Sequence, residues 1–296
     1  MIHVTKKNKS AIQRRLIPTY IFLIIVSFIS VFPLYWMISA ATNTSTDVSR
    51  GRIIPGSHFM ENFHNLTAQQ PLWRALGNSF FYAILTTVIC LLICSIAGYG
   101  FEVYHDKAKD RLFSVLLLAM MVPQVATMVP LFKMFSKAGL LNTAVGFILP
   151  IISTPFMIMM FRQNARSFPV DIIEAARIDG LSEVRIFLQM FIPTMKSTYA
   201  AAAVITFMNA WNSYLWPKVI MTDNKAMTMP MLIANLITGY VTDYGMLMCG
   251  VLFCSIPTMV VFFVLQKQFA EGITGAVSKS ADFECLQNYG NCEAME

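Results

Sequence analysis

Side chains able to do chemistry are scarce in this sequence, and the charged ones crowd into one stretch. Asp171, Glu174, Arg177, Asp179, Glu183 and Arg185 fall within DIIEAARIDGLSEVRIFLQMFIP, residues 171–193, which lies between two long apolar runs. Carboxylates and guanidiniums at this spacing suit recognition of another surface, not bond-making. The sequence has no G-x-x-x-x-G-K-[ST] phosphate loop. Its six cysteines and four histidines show no metal-site spacing. Its apolar segments hold no acid dyad, His–Glu pair, Ser–His pair or Ser–Lys pair for proteolysis within a membrane. His58 and His64, six apart in a polar stretch, read as incidental.

The elements that must position this charged stretch follow from its spacing. Asp171 with Glu174 three residues on predicts a capped helix start. Residues 172–179 then make about two helical turns. Gly180 is placed to end them, because it takes the left-handed conformation that costs other residues roughly 1–2 kcal/mol. Ser182 can cap a second helix that runs on toward Pro193. The first helix is two-sided, with Ile172, Ile173, Ala175, Ala176 and Ile178 against Glu174, Arg177 and Asp179. Its adjacent alanines let another surface approach the backbone. A helix this short is marginal alone. It is either a surface helix of a cytosolic loop or a docking knob for a partner protein.

Glu174-Ala175-Ala176, Asp179-Gly180 and Ile192-Pro193 resemble the EAA loop of ABC-importer permeases. Leu181 stands where that family commonly has alanine. The resemblance implies that 163–196 is a cytosolic coupling loop whose short helix sits in a groove of an ATPase subunit. Glu174, Ala175, Ala176, Asp179, Gly180 and Pro193 would then be the coupling residues.

The rest of the chain is oily. Its 296 residues are 56% hydrophobic and 13% charged, against roughly 25% charged in a soluble domain. Asp, Glu, Lys and Arg are absent from 16–46, 75–101, 112–132, 138–161, 197–217 and 244–266. Each window is long enough for the roughly 20 residues that cross a hydrocarbon core. The expected fold is an all-α integral membrane protein with six transmembrane helices at about 16–41, 78–101, 112–133, 144–162, 197–216 and 244–266. A shorter uncharged window, 226–242, reads as a non-spanning external segment. Residues 1–15 read as a basic tail and 42–73 as a polar external loop. Of the 22 Lys and Arg, 15 fall on the side that holds the 163–196 loop. Both termini are therefore expected in the cytosol. This topology accounts for the net charge of +6 without nucleic acid, and no basic-aromatic reader motif is present. The cysteines are expected as packed, reduced thiols.

Polar and proline residues inside the apolar windows point to a pathway. Pro123, Gln124 and Pro130 in the third, and Pro150 and Pro155 in the fourth, predict broken backbone hydrogen bonding, tolerated where it is buried or lines water. Ala97-Gly98-Tyr99-Gly100 ends the second window with residues small enough for close helix packing. The outer end of the fifth mixes Asn209, Trp211, Asn212, Tyr214 and Trp216. These are either interfacial anchors or a substrate pathway or gate, with Asn209, Trp211, Asn212 and Tyr214 as its candidates. No uncharged window holds a histidine either. A proton-coupled carrier normally keeps a titratable group at that depth, so the driving force is expected from outside the membrane.

The resemblance extends along 12–279. Gly139-Leu140-Leu141-Asn142-Thr143, Ala210-Trp211-Asn212 with Trp216-Pro217, and Gly272-Ile273-Thr274-Gly275-Ala276-Val277 are similar to the carbohydrate-uptake branch, most of all to the second permease subunit of maltose/maltodextrin-type importers. The tail 280–296 departs from it. The resemblance implies a type I ABC-importer permease fold in a bacterial inner membrane. It also implies a homologous second permease, two cytosolic ATPase subunits that use ATP and Mg, and an external sugar-binding protein, with no cofactor in this chain. Two other readings stay open: a permease of the same architecture for glycerol phosphate or polyamine, and a membrane assembly or sensor subunit that docks an ATPase without moving solute.

Overall fold

A computed structural model describes residues 6–238, 242–264 and 266, with side chains from residue 18 onward. Gly272–Val277, the 280–296 tail, Cys285 and Cys292 lie outside the described residues. The described residues are helices and connections, with no strand among them. They form two compact units. One holds the chain up to Gln70 and Ile233–Phe253; the other holds Pro71–Leu232 and the chain from Cys254.

In the first unit, α1 (Lys6–Ala41) starts well inside the expected basic tail, and 6–15 are helical. The apolar part of α1, Pro18–Ala41, is long enough to cross a membrane and is almost bare, with Phe28 72% exposed. Side chains this apolar and this unburied need lipid or another protein against them. The 42–73 stretch is not a plain loop. It holds α2 (Ser45–Ser49) and α3 (Phe59–Gln69), tied by two buried amides. Asn43 Nδ2 donates to the carbonyls of Ser39 and Ile54, and Asn62 Nδ2 to those of Ala41 and Asn43, all at 2.9 Å.

In the second unit, α4 (Leu72–Val103) is the central element. Its 32 residues at 1.5 Å each give about 48 Å, well beyond the ~30 Å hydrocarbon thickness. Its charged end therefore stands clear of the apolar zone. It packs against α8 (Pro155–Ala165) and α12 (Lys196–Trp211) through Cys90, Cys94, Met157, Ile158, Phe161 and Ala202. Gly98 makes that approach possible. A Cβ there would lie 2.6 Å from Phe161 Cβ and 2.8 Å from the Arg162 nitrogen, closer than any side chain tolerates. Cys90 and Cys94 are free and buried, as expected, with sulfurs 3.7 Å apart.

The third, fourth and fifth windows are broken, whereas Pro18 and Pro33 sit inside the continuous α1. The third is α5 (Lys107–Ala119) and α6 (Gln124–Lys137), bent by 100° across Met120–Pro123. The end of α5 tightens into i→i+3 bonds, Met121 N–H to Leu118 at 3.0 Å and Val122 N–H to Ala119 at 3.2 Å, before Pro123 stops it. The fourth is α7 (Ala144–Ile148) and α8, separated by residues 149–154. Pro155 opens α8 at the first helical position, where its missing N–H costs nothing. Between α8 and α12 lie α9 (Val170–Ile178), α10 (Glu183–Ile186) and α11 (Ile192–Thr194). The fifth window is α12, then a break at 212–214, then α13 (Leu215–Ile220). In the non-spanning segment, α14 (Met229–Ile237) has nine residues, about 14 Å, too short to cross. The last window is α15 (Tyr244–Val264), one continuous apolar helix.

Candidate functional site

The 171–193 stretch folds as a helix, a glycine turn and a second helix, with its details corrected. α9 starts at Val170 on Pro169, which makes no side-chain cap. Asp171 therefore lies in the first turn, where its charge favours the helix dipole instead of capping it. Gly180 has φ +78°. Its N–H bonds Arg177 O, and the Leu181 N–H bonds Ala176 O, both at 3.0 Å. This pair of bonds defines a Schellman turn, with its apolar contact supplied by Leu181 against the cluster that contains Ala176. Ser182 precedes α10 without a side-chain bond. The second helix is composite: a π-turn, Phe187–Phe191, joins α10 to α11, and the Ile192 N–H reaches back to Phe187 O. Pro193 explains the widening. It has no N–H to give and would crowd the carbonyl four residues back.

The two alanines part company. Ala175 is exposed, whereas Ala176 is 2% exposed and packs inward with Ile173, Tyr99, Phe187 and Phe191. The close approach that Ala176 permits is to this chain's own core. The outer face carries Val170, Ile172, Ile178 and Val184 beside Glu174, Ala175, Asp179 and Gly180. Ile178 is 87% exposed. With Val170, Ile172 and Val184 it leaves this face of the loop apolar and uncovered.

Ion clusters flank this loop, and their pairing is not visible in the spacing. Arg162 is buried, with Nε 3.1 Å from Glu102 Oε2, NH2 2.6 Å from Asp110 Oδ1, and the guanidinium carbon 4.3 Å from the Phe113 centroid. Arg166 Nε adds a second contact to Glu102 at 3.4 Å. On the other flank Arg177 Nε lies 2.7 Å from Glu183 Oε1, and the Tyr104 hydroxyl donates to Glu183 Oε2. Arg177, then Tyr104, hold the Glu183 carboxyl below its usual range, with slight opposition from burial.

A cavity of about 720 Å3 opens in the same unit. All three backbone breaks reach it: Val122 and Gln124 from the first, Pro150, Ile151, Thr154 and Pro155 from the second, Asn212, Ser213 and Tyr214 from the third. Irregular backbone among apolar helices is tolerated where it lines water. Asn209 also lines the cavity. Trp211 does not. Its indole is 1% exposed, stacks on Phe207 at 5.8 Å, meets Phe80 edge-on at 4.8 Å and donates to Cys254 O at 3.0 Å. It is a packing residue; Trp216 borders the cavity, but its indole is likewise buried, 2% exposed, edge-on to Phe135 at 5.3 Å and donating to Gly146 O at 3.1 Å. Val122, Ile151, Thr154, Ser213 and Leu215 are lining residues that sequence reasoning did not propose; the prolines around Thr154 were the available signal there.

Residues 95–275 match the family model described as binding-protein-dependent transport system inner membrane component. The chain is 40% identical over 270 residues to the lactose transport system permease protein LacG of Rhizobium radiobacter, covering 90% of this chain and 99% of that protein. It is 32% identical over 252 residues to the sn-glycerol-3-phosphate transport system permease protein UgpE of Escherichia coli O1:K1, covering 82% of this chain and 90% of that one. Among solved structures, a chain of a bacterial ABC transporter that imports the acidic polysaccharide alginate superposes with a TM-score of 0.77 at 18% identity, over 91% of this chain and 100% of the other. That likeness shows a shared all-α fold over 91% of this chain. The chain belongs to the family of inner-membrane components of binding-protein-dependent transport systems, the multi-pass permease subunits of ABC importers.

Proposed function

We propose that this permease passes a neutral sugar or oligosaccharide, with the cavity at the three backbone breaks as its substrate path. The observation that carries the reading is the chemistry of the wall. Asn209, Asn212, Gln124, Thr154 and Ser213 offer amides and hydroxyls, Tyr214 offers an exposed ring, and no lining residue is charged. Amides match the paired donors and acceptors of sugar hydroxyls, and ring faces suit the apolar side of a sugar ring. The volume falls within the roughly 300–1,000 Å3 typical of small-molecule sites. LacG, named for lactose transport, supports the same reading.

The likeness to UgpE, named for sn-glycerol-3-phosphate, favours a second reading. A phosphate ester in a low-dielectric cavity needs a cation or aimed backbone N–H groups, and the wall has no cation. The driving force is assigned to partner ATPase subunits, two by analogy, that use ATP and Mg on the cytosolic side and seat α9. A homologous second permease and an external binding protein complete the assembly, with both termini of this chain in the cytosol. Glu174, Ala175, Asp179 and Gly180 present the docking face; Ala176 shapes it from within, and the exposed Pro193 shapes it through the turn of helix before it. The bare isoleucine and valine surface of α9 supports docking over a free surface helix.

The test is uptake by the complete transporter in proteoliposomes, with labelled lactose and labelled sn-glycerol-3-phosphate compared. Lactose uptake that falls about tenfold in Asn212→Ala, the scale of one lost buried hydrogen bond, is expected. Uptake of the phosphate ester with none of the sugar would overturn the reading.

A further inference from the structure

On one flank of the loop a single carboxylate, Glu183, joins α9 to the end of α4. We propose that Glu183 is a positioning residue for coupling. Held between Arg177 of α9 and Tyr104 at the end of α4, it makes the docking helix and the central helix move as one body. The inference rests on the reading of α9 as the element that seats an ATPase.

Three separate parts of the chain meet at this carboxylate. Arg177 comes from the last turn of α9, Glu183 is the first residue of α10, and Tyr104 follows α4 directly. One oxygen accepts from Arg177 Nε at 2.7 Å and the other from the Tyr104 hydroxyl. The guanidinium also lies 5.9 Å from the Tyr104 ring centroid, which closes the triangle. The Gly180 turn is what brings Glu183 back beside Arg177, six residues earlier. Beneath the triangle lies a floor of rings: Tyr99 is 6.2 Å from Tyr104, 5.3 Å from Phe187 and 4.8 Å from Phe191.

Arg177 and Glu183 are 42% and 45% exposed, and a pair so open to water adds little to stability. Its use is directional. A carboxylate engaged at both oxygens fixes the angle between α9 and the end of α4, two elements far apart in the chain. The opposite flank repeats the arrangement, since Glu102 of α4 holds Arg162 and Arg166 just before α9. α4 is thus gripped on both sides of the docking helix. It is also the helix on which α8 and α12 pack, and both contribute to the cavity wall. A push on α9 then reaches the cavity instead of being absorbed at Gly180.

The test uses the complete transporter, with Ser213→Cys on the cavity wall as a reporter. The labelling rate of that thiol by a membrane-impermeant maleimide is measured with and without a non-hydrolysable ATP analogue. It is then repeated in Glu183→Gln and in Tyr104→Phe, which removes only a hydroxyl. Copurification with the ATPase and the rate of ATP hydrolysis are measured alongside. In the parent a nucleotide-dependent change in labelling is expected. In both variants the complex should still assemble and hydrolyse ATP, while the change shrinks about threefold or more, within the range by which residues along a coupling route act. A full-sized change in both variants overturns the proposal. So does loss of assembly and hydrolysis in step with the labelling change, which marks a merely structural role. If the parent shows no nucleotide response while the ATPase is bound, the reading of α9 fails first, and that outcome is distinct from failure of the clamp.

Discussion

Substitution of Gly180 tests whether the turn geometry itself transmits force. The residue sits at φ +78° with two turn bonds of 3.0 Å across it, and a Cβ added there would meet nothing within 4 Å. Packing therefore adds nothing to the cost, and the whole penalty for an L-residue is the left-handed backbone, about 1–2 kcal/mol for alanine. That lowers the population of the native turn against competing ones by about 5- to 30-fold. A β-branched residue is worse, because its stiff side chain tolerates this region least. Asparagine visits it readily. The expected order of uptake per ATP hydrolysed in proteoliposomes is Gly, then Asn, then Ala, then Val. Asparagine should stay within about threefold of the parent, and ATP hydrolysis itself should persist throughout. Coupling in Gly180→Val equal to the parent, or Gly180→Asn as damaging as Gly180→Val, would refute the reasoning.

Three further outcomes follow from named contacts. Arg162→Met removes the cation shared by Glu102 and Asp110, but Glu102 keeps Arg166 and Asp110 is half exposed, so stability should fall by only about 1 kcal/mol; an unchanged melting temperature in detergent would show that the cluster contributes nothing. Asn142 holds φ 58° while its Oδ1 accepts the Thr222 and Asp223 N–H groups at 2.7 and 2.9 Å, so Asn142→Ala should cost about 2 kcal/mol and Asn142→Gly about half of that, read by the melting temperature and by protease nicking near 139–143. The Glu183 carboxyl is held below its usual range by Arg177 and Tyr104, so its contribution is complete above the ordinary glutamate value of about 4.3 and fades only as pH falls through the lower folded value; uptake per ATP should lack a Glu183 step between about pH 5 and 8, and a step there that vanishes in Glu183→Gln contradicts the assignment.

How much of this was legible in the sequence depends on which kind of signal each feature leaves. The glycine turn was readable because one residue type alone suits its backbone. The start of α9 was not. Asp171 and Glu174 match a capping pattern, yet Pro169 fixes the preceding backbone and lets the helix begin two residues earlier, at Val170. Prolines at 123, 150 and 155 announced broken helices, though not a bend of 100° or the meeting of both breaks at one cavity. Arg162 looked like one more positive charge on the cytosolic side. Its partners, Glu102 and Asp110, lie 60 and 52 residues away in the chain, and no local pattern reports a pairing at that range.

The cavity residues show the same limit at finer scale, and also how to move past it. Asn209, Trp211, Asn212 and Tyr214 belong to one short polar-aromatic cluster, and composition alone treats them alike. Helical spacing separates them. Phe207 and Trp211 are four apart and so share a face; that face is the buried one, where their rings stack at 17°. Asn209 and Asn212 are three apart and share another face, the one toward the cavity. Tyr214 lies beyond the end of α12, in the break, and escapes the helical rule altogether. An indole at 211 that is needed for sugar stacking would have to leave Phe80, Phe207 and the Cys254 carbonyl together. The aromatic surface available to a solute without such a rearrangement is that of Tyr214, 36% exposed in the break where the helix stops at Trp211 and the chain turns before it resumes; the Trp216 indole is packed like that of Trp211.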